Sequence, residues 1–252
     1  MTTVTMRFAF TAALACCAGV SAADLSFDFE DGQLGKWVAV DEKDLGDPGP
    51  SKWVVQKGPI AGNALMQTSN IWGDATDTVP IGTFCIYDGA EFGNFVLDVD
   101  VVAGDNDGMG VVWAYTGPEV HYRVFMMVDG GNPPNGDKGP WRKMEKRLGK
   151  GAGSKLPFYA DKPMTIQREP YAQGAILHWT LEVKNGQFRF LMDQKEILKA
   201  ADDAYKVGKI GFQLYAQNNV AFDNVKVKDM GLPVSPRGRT ATLWGRLRSA
   251  RP

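Results

Sequence analysis

The chain has 252 residues, 44% of them hydrophobic and 23% charged, which is enough apolar material to bury an ordinary core. A length of this order suits one large β domain, since sandwiches and barrels often run to roughly 200–250 residues as a single unit. Formal net charge is −1, but with Arg7 and the five arginines of 231–252 set aside the body from 24 to 230 holds 22 basic and 29 acidic residues, a formal −7. That balance argues against nucleic acid as a partner and leaves carboxylates for calcium or polar sugars.

Residues 1–23 have the layout of a secretory signal. Arg7 is the only charge before Asp24, residues 8–20 are an unbroken run of apolar and small residues, and Val20-Ser21-Ala22 supplies small residues at a cleavage site. The run is too short to span a bilayer comfortably, so a secreted or periplasmic product is expected. A lipoprotein signal with lipid on Cys16 is the alternative, since Ala13-Leu14-Ala15-Cys16 loosely resembles a lipobox. Cys16 and Cys17 fall in this leader, and Cys85 is left alone in the mature chain without a disulfide partner. It is expected as a small buried hydrophobe in a strand over 84–87.

Strand signals fill the body. Leu25, Phe27 and Phe29 alternate with polar residues, as do Phe95, Leu97, Val99 and Val101. Residues 110–115 read as a buried strand and 121–128 as its antiparallel partner. Trp179, Leu181 and Val183 share one face, Asn185-Gly186 follows, and Phe188, Phe190 and Met192 alternate next. Asn-Gly between two alternating runs predicts a hairpin, because both residues tolerate positive φ in a type I′ turn. Ile210, Phe212 and Leu214, then 220–227, close the pattern. Residues 195–205 are expected to hold a short helical turn, and 130–157, rich in Gly, Pro and Lys, to form a long loop. No stretch suggests a crossover helix, so the predicted fold is all-β, an antiparallel two-sheet jelly-roll sandwich. The basic tail 231–252 reads as a disordered extension. Leu243, Trp244 and Leu247 opposite Arg246 and Arg248 leave open contact with a membrane surface or an acidic polymer.

Several motifs, taken in order, resemble one superfamily. They are Phe27-Asp28-Phe29-Glu30-Asp31-Gly32 with Trp37, residues 104–113 (Gly-Asp-Asn-Asp-Gly-Met-Gly-Val-Val-Trp), His121-Tyr122-Arg123, residues 208–212 and residues 222–227. Together they resemble the concanavalin A-like lectin/glucanase superfamily, and within it laminin-G-like and thrombospondin C-terminal-like domains. The resemblance implies a sandwich that meets carbohydrate or a component of the extracellular matrix or envelope. The superfamily holds lectins, adhesive modules and glycan-cleaving enzymes, so fold alone does not fix function. The Glu-x-Asp-x-x-Glu pattern of its sugar hydrolases is not in this sequence.

Candidate site residues follow. Asp105-Asn106-Asp107-Gly108 places two carboxylates around one turn, as calcium ligation requires. Glu30 or Asp31 with Asp223 forms a second candidate, because first and last strands commonly adjoin in such sandwiches. Calcium is thus the expected cofactor, and no organic cofactor is expected. Trp72 and Trp141, in loop-like contexts, are candidates for stacking on a sugar ring. His121 and His178, the two histidines, sit on the polar phase of strands, where a surface position is the plain reading. A polysaccharide lyase would pair them with Tyr122 or Arg123 as base and neutraliser. The preferred expectation is an exported, non-catalytic glycan-binding or adhesive module. A polysaccharide-active enzyme and a structural envelope protein are the alternatives.

Overall fold

A computed structural model describes residues 24–41, 49–71, 82–118, 120–129, 139–147 and 163–231. The leader 1–23, Trp72 and the tail 232–252 lie outside the described residues. Every strand pairing is antiparallel, and the described residues contain no helix.

The strands form two stacked sheets. Sheet A contains β1 (Leu25–Phe27), β3 (Trp53–Lys57), β4 (Asn63–Gln67), β6 (Phe95–Val102), β11 (Ile176–Lys184), β12 (Gln187–Met192), β13 (Lys195–Ala201) and β15 (Val220–Asp229). Its order is β13-β12-β11-β6-β15-β4-β3, with β1 pairing β15. Sheet B contains β2 (Trp37–Asp41), β5 (Thr83–Tyr87), β7 (Gly108–Gly117), β8 (Val120–Met127), β9 (Trp141–Lys146), β10 (Thr165–Gln167) and β14 (Lys209–Tyr215). Its order is β10-β9-β8-β7-β14-β5-β2. The molecule is an antiparallel two-sheet jelly-roll sandwich.

Period-two alternation sends one set of side chains from each sheet into a shared core. From sheet A come Leu97, Val99, Trp179, Leu181, Phe188, Phe190 and Phe222; from sheet B come Val111, Trp113, Tyr122, Val124 and Phe212. Phe212 lies stacked between Trp37, at 5.3 Å, and Phe222, at 4.0 Å, which ties the sheets together. Trp53 on sheet A also donates its indole N–H to Thr83 Oγ1 on sheet B at 3.0 Å.

The Asn185-Gly186 hairpin forms between β11 and β12, with φ of 50° and 74° at the two turn residues. Cys85 is buried in β5. Two expectations need correction. Residues 195–201 are an edge strand, β13, not a helical turn, because they complete the ladder begun by β12. The loop expected over 130–157 contains β9, which pairs β8 from Tyr122↔Lys146 to Met127↔Trp141. The run Trp-Arg-Lys-Met-Glu-Lys hides its strand character because both of its faces carry polar residues.

Candidate functional site

In a two-sheet sandwich the outer faces ordinarily meet water. The outer face of sheet B departs from this. Alternation along β8 sends Tyr122, Val124 and Met126 into the core and His121, Arg123, Phe125 and Met127 outward, yet all four outward side chains are buried. Across the ladder Arg123 faces Glu145, Phe125 faces Lys143 and Met127 faces Trp141. On the other side Gln213 of β14 lies opposite Gly110 of β7, which in turn faces Phe125. A Cβ at Gly110 would run into Phe125 and the Val124 carbonyl. Glycine there lets the aromatic ring lie across the strand.

A polar line crosses the middle of this face. Arg123 donates from Nε and Nη2 to Glu145 Oε2, at 2.8 and 2.7 Å, and from Nη1 to Gln213 Oε1 at 3.3 Å. Its guanidinium also sits 4.1 Å from the Phe125 ring centroid. Aromatic clusters flank the line at both ends. At one end Tyr115 stacks on His121 and Phe84 meets the same imidazole edge-on. At the other end Phe125, Met127, Trp141 and Tyr215 pack together. His121 and Phe125 are four residues apart on one strand, about 13 Å at the usual rise. Val38 on β2 and Ile166 on β10 are exposed at the two edges of the face.

A bulge sets the first cluster. Lys209 faces Tyr115 while Gly211 faces Val112, so β7 carries one residue more than β14 over that stretch. Ala114 absorbs it at φ 48°. The phase shift turns Tyr115 onto the outer face, a re-aiming for which bulges are commonly used.

The sequence-derived candidates scatter over this frame. His121 is not a surface residue: it is fully buried, and burial with the charges of Arg147 and Arg123 holds its pKa well below the ordinary histidine value. Tyr122, its neighbour, points to the opposite face. There its hydroxyl donates to Asp202 Oδ1 at 2.5 Å, and burial and that carboxylate push the phenol pKa up. His178 sits on sheet A, with Nδ1 2.8 Å from Asp100 and Nε2 3.5 Å from Asp98. The lyase constellation of His121, Tyr122, Arg123 and His178 therefore does not assemble, because alternation and two separate sheets divide its members. Trp141, expected in a loop, is a buried strand residue of β9 with the Lys143 ammonium 4.1 Å from its ring centroid.

Acidic groups gather at two places. At the turn between β6 and β7, burial together with Asp105 and Asp129 pushes the Asp107 carboxyl up to about 7. Tyr171 reaches the Asp105 and Asp107 carbonyls with its hydroxyl, at 3.1 and 2.6 Å, and Gln217 Nε2 donates to the Asp107 carbonyl at 3.0 Å and to that hydroxyl at 2.6 Å. On sheet A the buried Asp223 carboxyl is raised by burial, then by Glu30, Asp100 and Asp28. Asp31 accepts the Gln33 amide within its own turn. Among the described residues no three His, Cys, Asp or Glu side chains converge on one point at metal-ligating geometry.

Glu145, Gln213, Lys143 and Arg147 escaped the sequence reading. Gln213 alone left a signal, a polar residue between Phe212 and Leu214 in the middle of a strand whose inward phase is wholly apolar.

No protein-family model matches the chain, and no curated protein matches it. Solved structures do. The chain is similar to a carbohydrate-binding module, CBM66, from Bacillus subtilis, with 14% identity, TM-score 0.53, and coverage of 77% of this chain and 96% of that one. It is also similar to a Bacillus subtilis protein of unknown function with a galectin-like fold (11%, TM-score 0.53, 84% and 98%). A third is a Bacteroides ovatus GH16 protein of a mixed-linkage glucan locus (10%, TM-score 0.55, 81% and 99%). At these identities the likeness establishes the two-sheet jelly-roll fold alone.

Proposed function

We propose that the chain is an exported, laminin-G-like module that binds a glycan without cleaving it. The observation that carries this reading is the antiparallel two-sheet jelly-roll sandwich. Likeness in fold to a carbohydrate-binding module supports the ligand class.

The non-catalytic reading rests on the carboxylates. Hydrolysis of a glycosidic bond normally uses two at a set separation. Among the described residues the outer face of sheet B carries one, Glu145, and Arg123 is ion-paired with it. A glycan array followed by a reducing-end assay on each hit tests the proposal. Binding of at least one glycan with no release of new reducing ends is the expected result, and an array without a hit would sink the reading. Steady release of new reducing ends from a bound glycan would replace the module with an enzyme.

A further inference from the structure

We propose that the arginine-rich C-terminal segment 232–252 docks back onto the outer face of sheet A. Its apolar residues would lie on a row of aliphatic side chains there, and its arginines on the carboxylates beside that row. This contact goes beyond the glycan reading and does not depend on it.

Register builds the row. Ile176 pairs Val102, Val102 pairs Ala221, Ala221 pairs Met66 and Met66 pairs Val54, so five adjacent strands set apolar residues side by side. Their chain neighbours Leu177, Val101, Phe222 and Leu65 lie in the core, so alternation turns the row outward, onto a face that ordinarily meets water. In the β3–β4 loop Gly58 sits close over Ala64 and Ala221, and Ile60 packs on the same cluster. Ile176 is left 57% exposed at one end, and Val54 half-buried at the other.

Carboxylates line the next rows of this face. Asp100 pairs Asp223, and Asp98 follows along β6. Asp28 and Glu30 lie near enough to act on the Asp223 carboxyl together with Asp100. Lys226 stands opposite Asp98 in the ladder, and His178 lies beside Asp98 and Asp100. Among the described residues no lysine or arginine forms an ion pair with any of these five acids. An aliphatic row beside uncompensated carboxylates fits a segment that is both cationic and apolar.

Residues 232–252 have that chemistry: five arginines, no acid, and Leu243, Trp244 and Leu247. The body they would meet carries a formal −7. Their point of departure is fixed, because Gly231 accepts the Asn94 amide at 3.0 Å and donates to Asp229 Oδ1 at 3.0 Å. Gly231 stands at φ 80°, a conformation that suits a reversal of the chain. From Gly231 back along β15 to Ala221 is about 33 Å at the usual rise. Leu243 is twelve residues past Gly231, and twelve extended residues span up to about 43 Å. A return over β15 brings Arg237 and Arg239 level with the carboxylates before Leu243 and Trp244 meet the row. A second copy of the sandwich fits less well, since a two-fold contact would set the same acidic face against itself.

The test is tryptic cleavage of the full chain at low salt, with mass spectrometry reading the cuts after Arg237 and Arg239. Cleavage tracks the open population. Both sites should be cut at least about tenfold more slowly than in a synthetic peptide of 232–252, and about 0.5 M sodium chloride should remove most of that protection. Ile176→Asp should restore the peptide's rate, as should Asp98→Asn with Asp100→Asn. Ile166→Asp, exposed on sheet B, should leave the protection unchanged. If the double aspartate variant does not fold, Ile176→Asp decides, because its side chain is exposed. The proposal is overturned if the full chain is cut as fast as the peptide, or if Ile176→Asp and Ile166→Asp behave alike. Protection that disappears on dilution would assign the contact to a second copy, and protection that needs anionic vesicles would assign it to a lipid surface; either result overturns it too.

Discussion

Replacing Glu145 by leucine should destabilise the protein more than replacing Glu145 and Arg123 together. The two side chains are 9% and 1% exposed, and two Arg123 nitrogens sit 2.7 and 2.8 Å from one carboxylate oxygen. Removing one partner strands a buried charge, at a cost of about 3–5 kcal/mol, whereas exchanging both for apolar groups of similar volume is often neutral or stabilising. Glu145→Leu and Arg123→Met should therefore each cost about 3–5 kcal/mol, and the double variant less than either, so at least about 3 kcal/mol below the sum of the two. At roughly 2–4 °C per kcal/mol for a domain of this size, each single variant melts about 6–20 °C lower. Urea unfolding of parent, both singles and the double, followed by circular dichroism, closes the cycle. Single costs below about 1 kcal/mol, the range of exposed pairs, would refute the picture of a desolvated ion pair, and so would strict additivity.

Phe212→Ala removes the ring held between Trp37 and Phe222 and should cost about 3–5 kcal/mol, read from the denaturation midpoint at unchanged slope. Ala114→Gly relieves a left-handed alanine at φ 48°. The strain is about 1–2 kcal/mol and the added freedom of the unfolded chain returns about 0.4–1, so a net gain of about 0.5–1 kcal/mol is expected in the same assay. Asp107 should leave a pH signature. Its carboxyl is raised from 3.8 to about 7 on folding, so the native state holds a proton that the unfolded chain has released. Stability is full below about pH 4 and is lost as pH rises toward 7. Three units at 1.36 kcal/mol each set a ceiling of about 4 kcal/mol, and with the group half open to solvent, screening lowers this to about 1–2 kcal/mol. Unfolding free energies of parent minus Asp107→Asn between pH 4.5 and 7.5 check the sign; a difference that grows with pH would refute it.

The polar line was hard to read in the sequence because its members are 22 and 90 residues apart. Arg123 is a common type of residue on a strand. Glu145 lies in a run where polar residues occupy both phases, so alternation carries no contrast. His121 and Tyr122 look like partners in the sequence, yet adjacent strand residues face opposite ways. His178 was tied to them only by residue type. Asp105 and Asp107 were legible, since their spacing within one turn is local. Gln217, which donates to the Asp107 carbonyl, comes from a turn more than 100 residues away.

What the sequence determined by itself is whatever depends on neighbours a few residues apart. The period-two runs, the Asn185-Gly186 turn and the inward set of Trp113, Trp179 and Phe212 follow from alternation and local backbone preference, and together they dictate a sandwich with one core. The tertiary structure decided which of the outward faces is also buried, that β9 joins β8, that the bulge at Ala114 swings Tyr115 onto His121, and that Arg123 finds Glu145 and Gln213. Those facts depend on strand order and register, which are settled by long-range pairing energy and leave no trace in the spacing of residues along one strand.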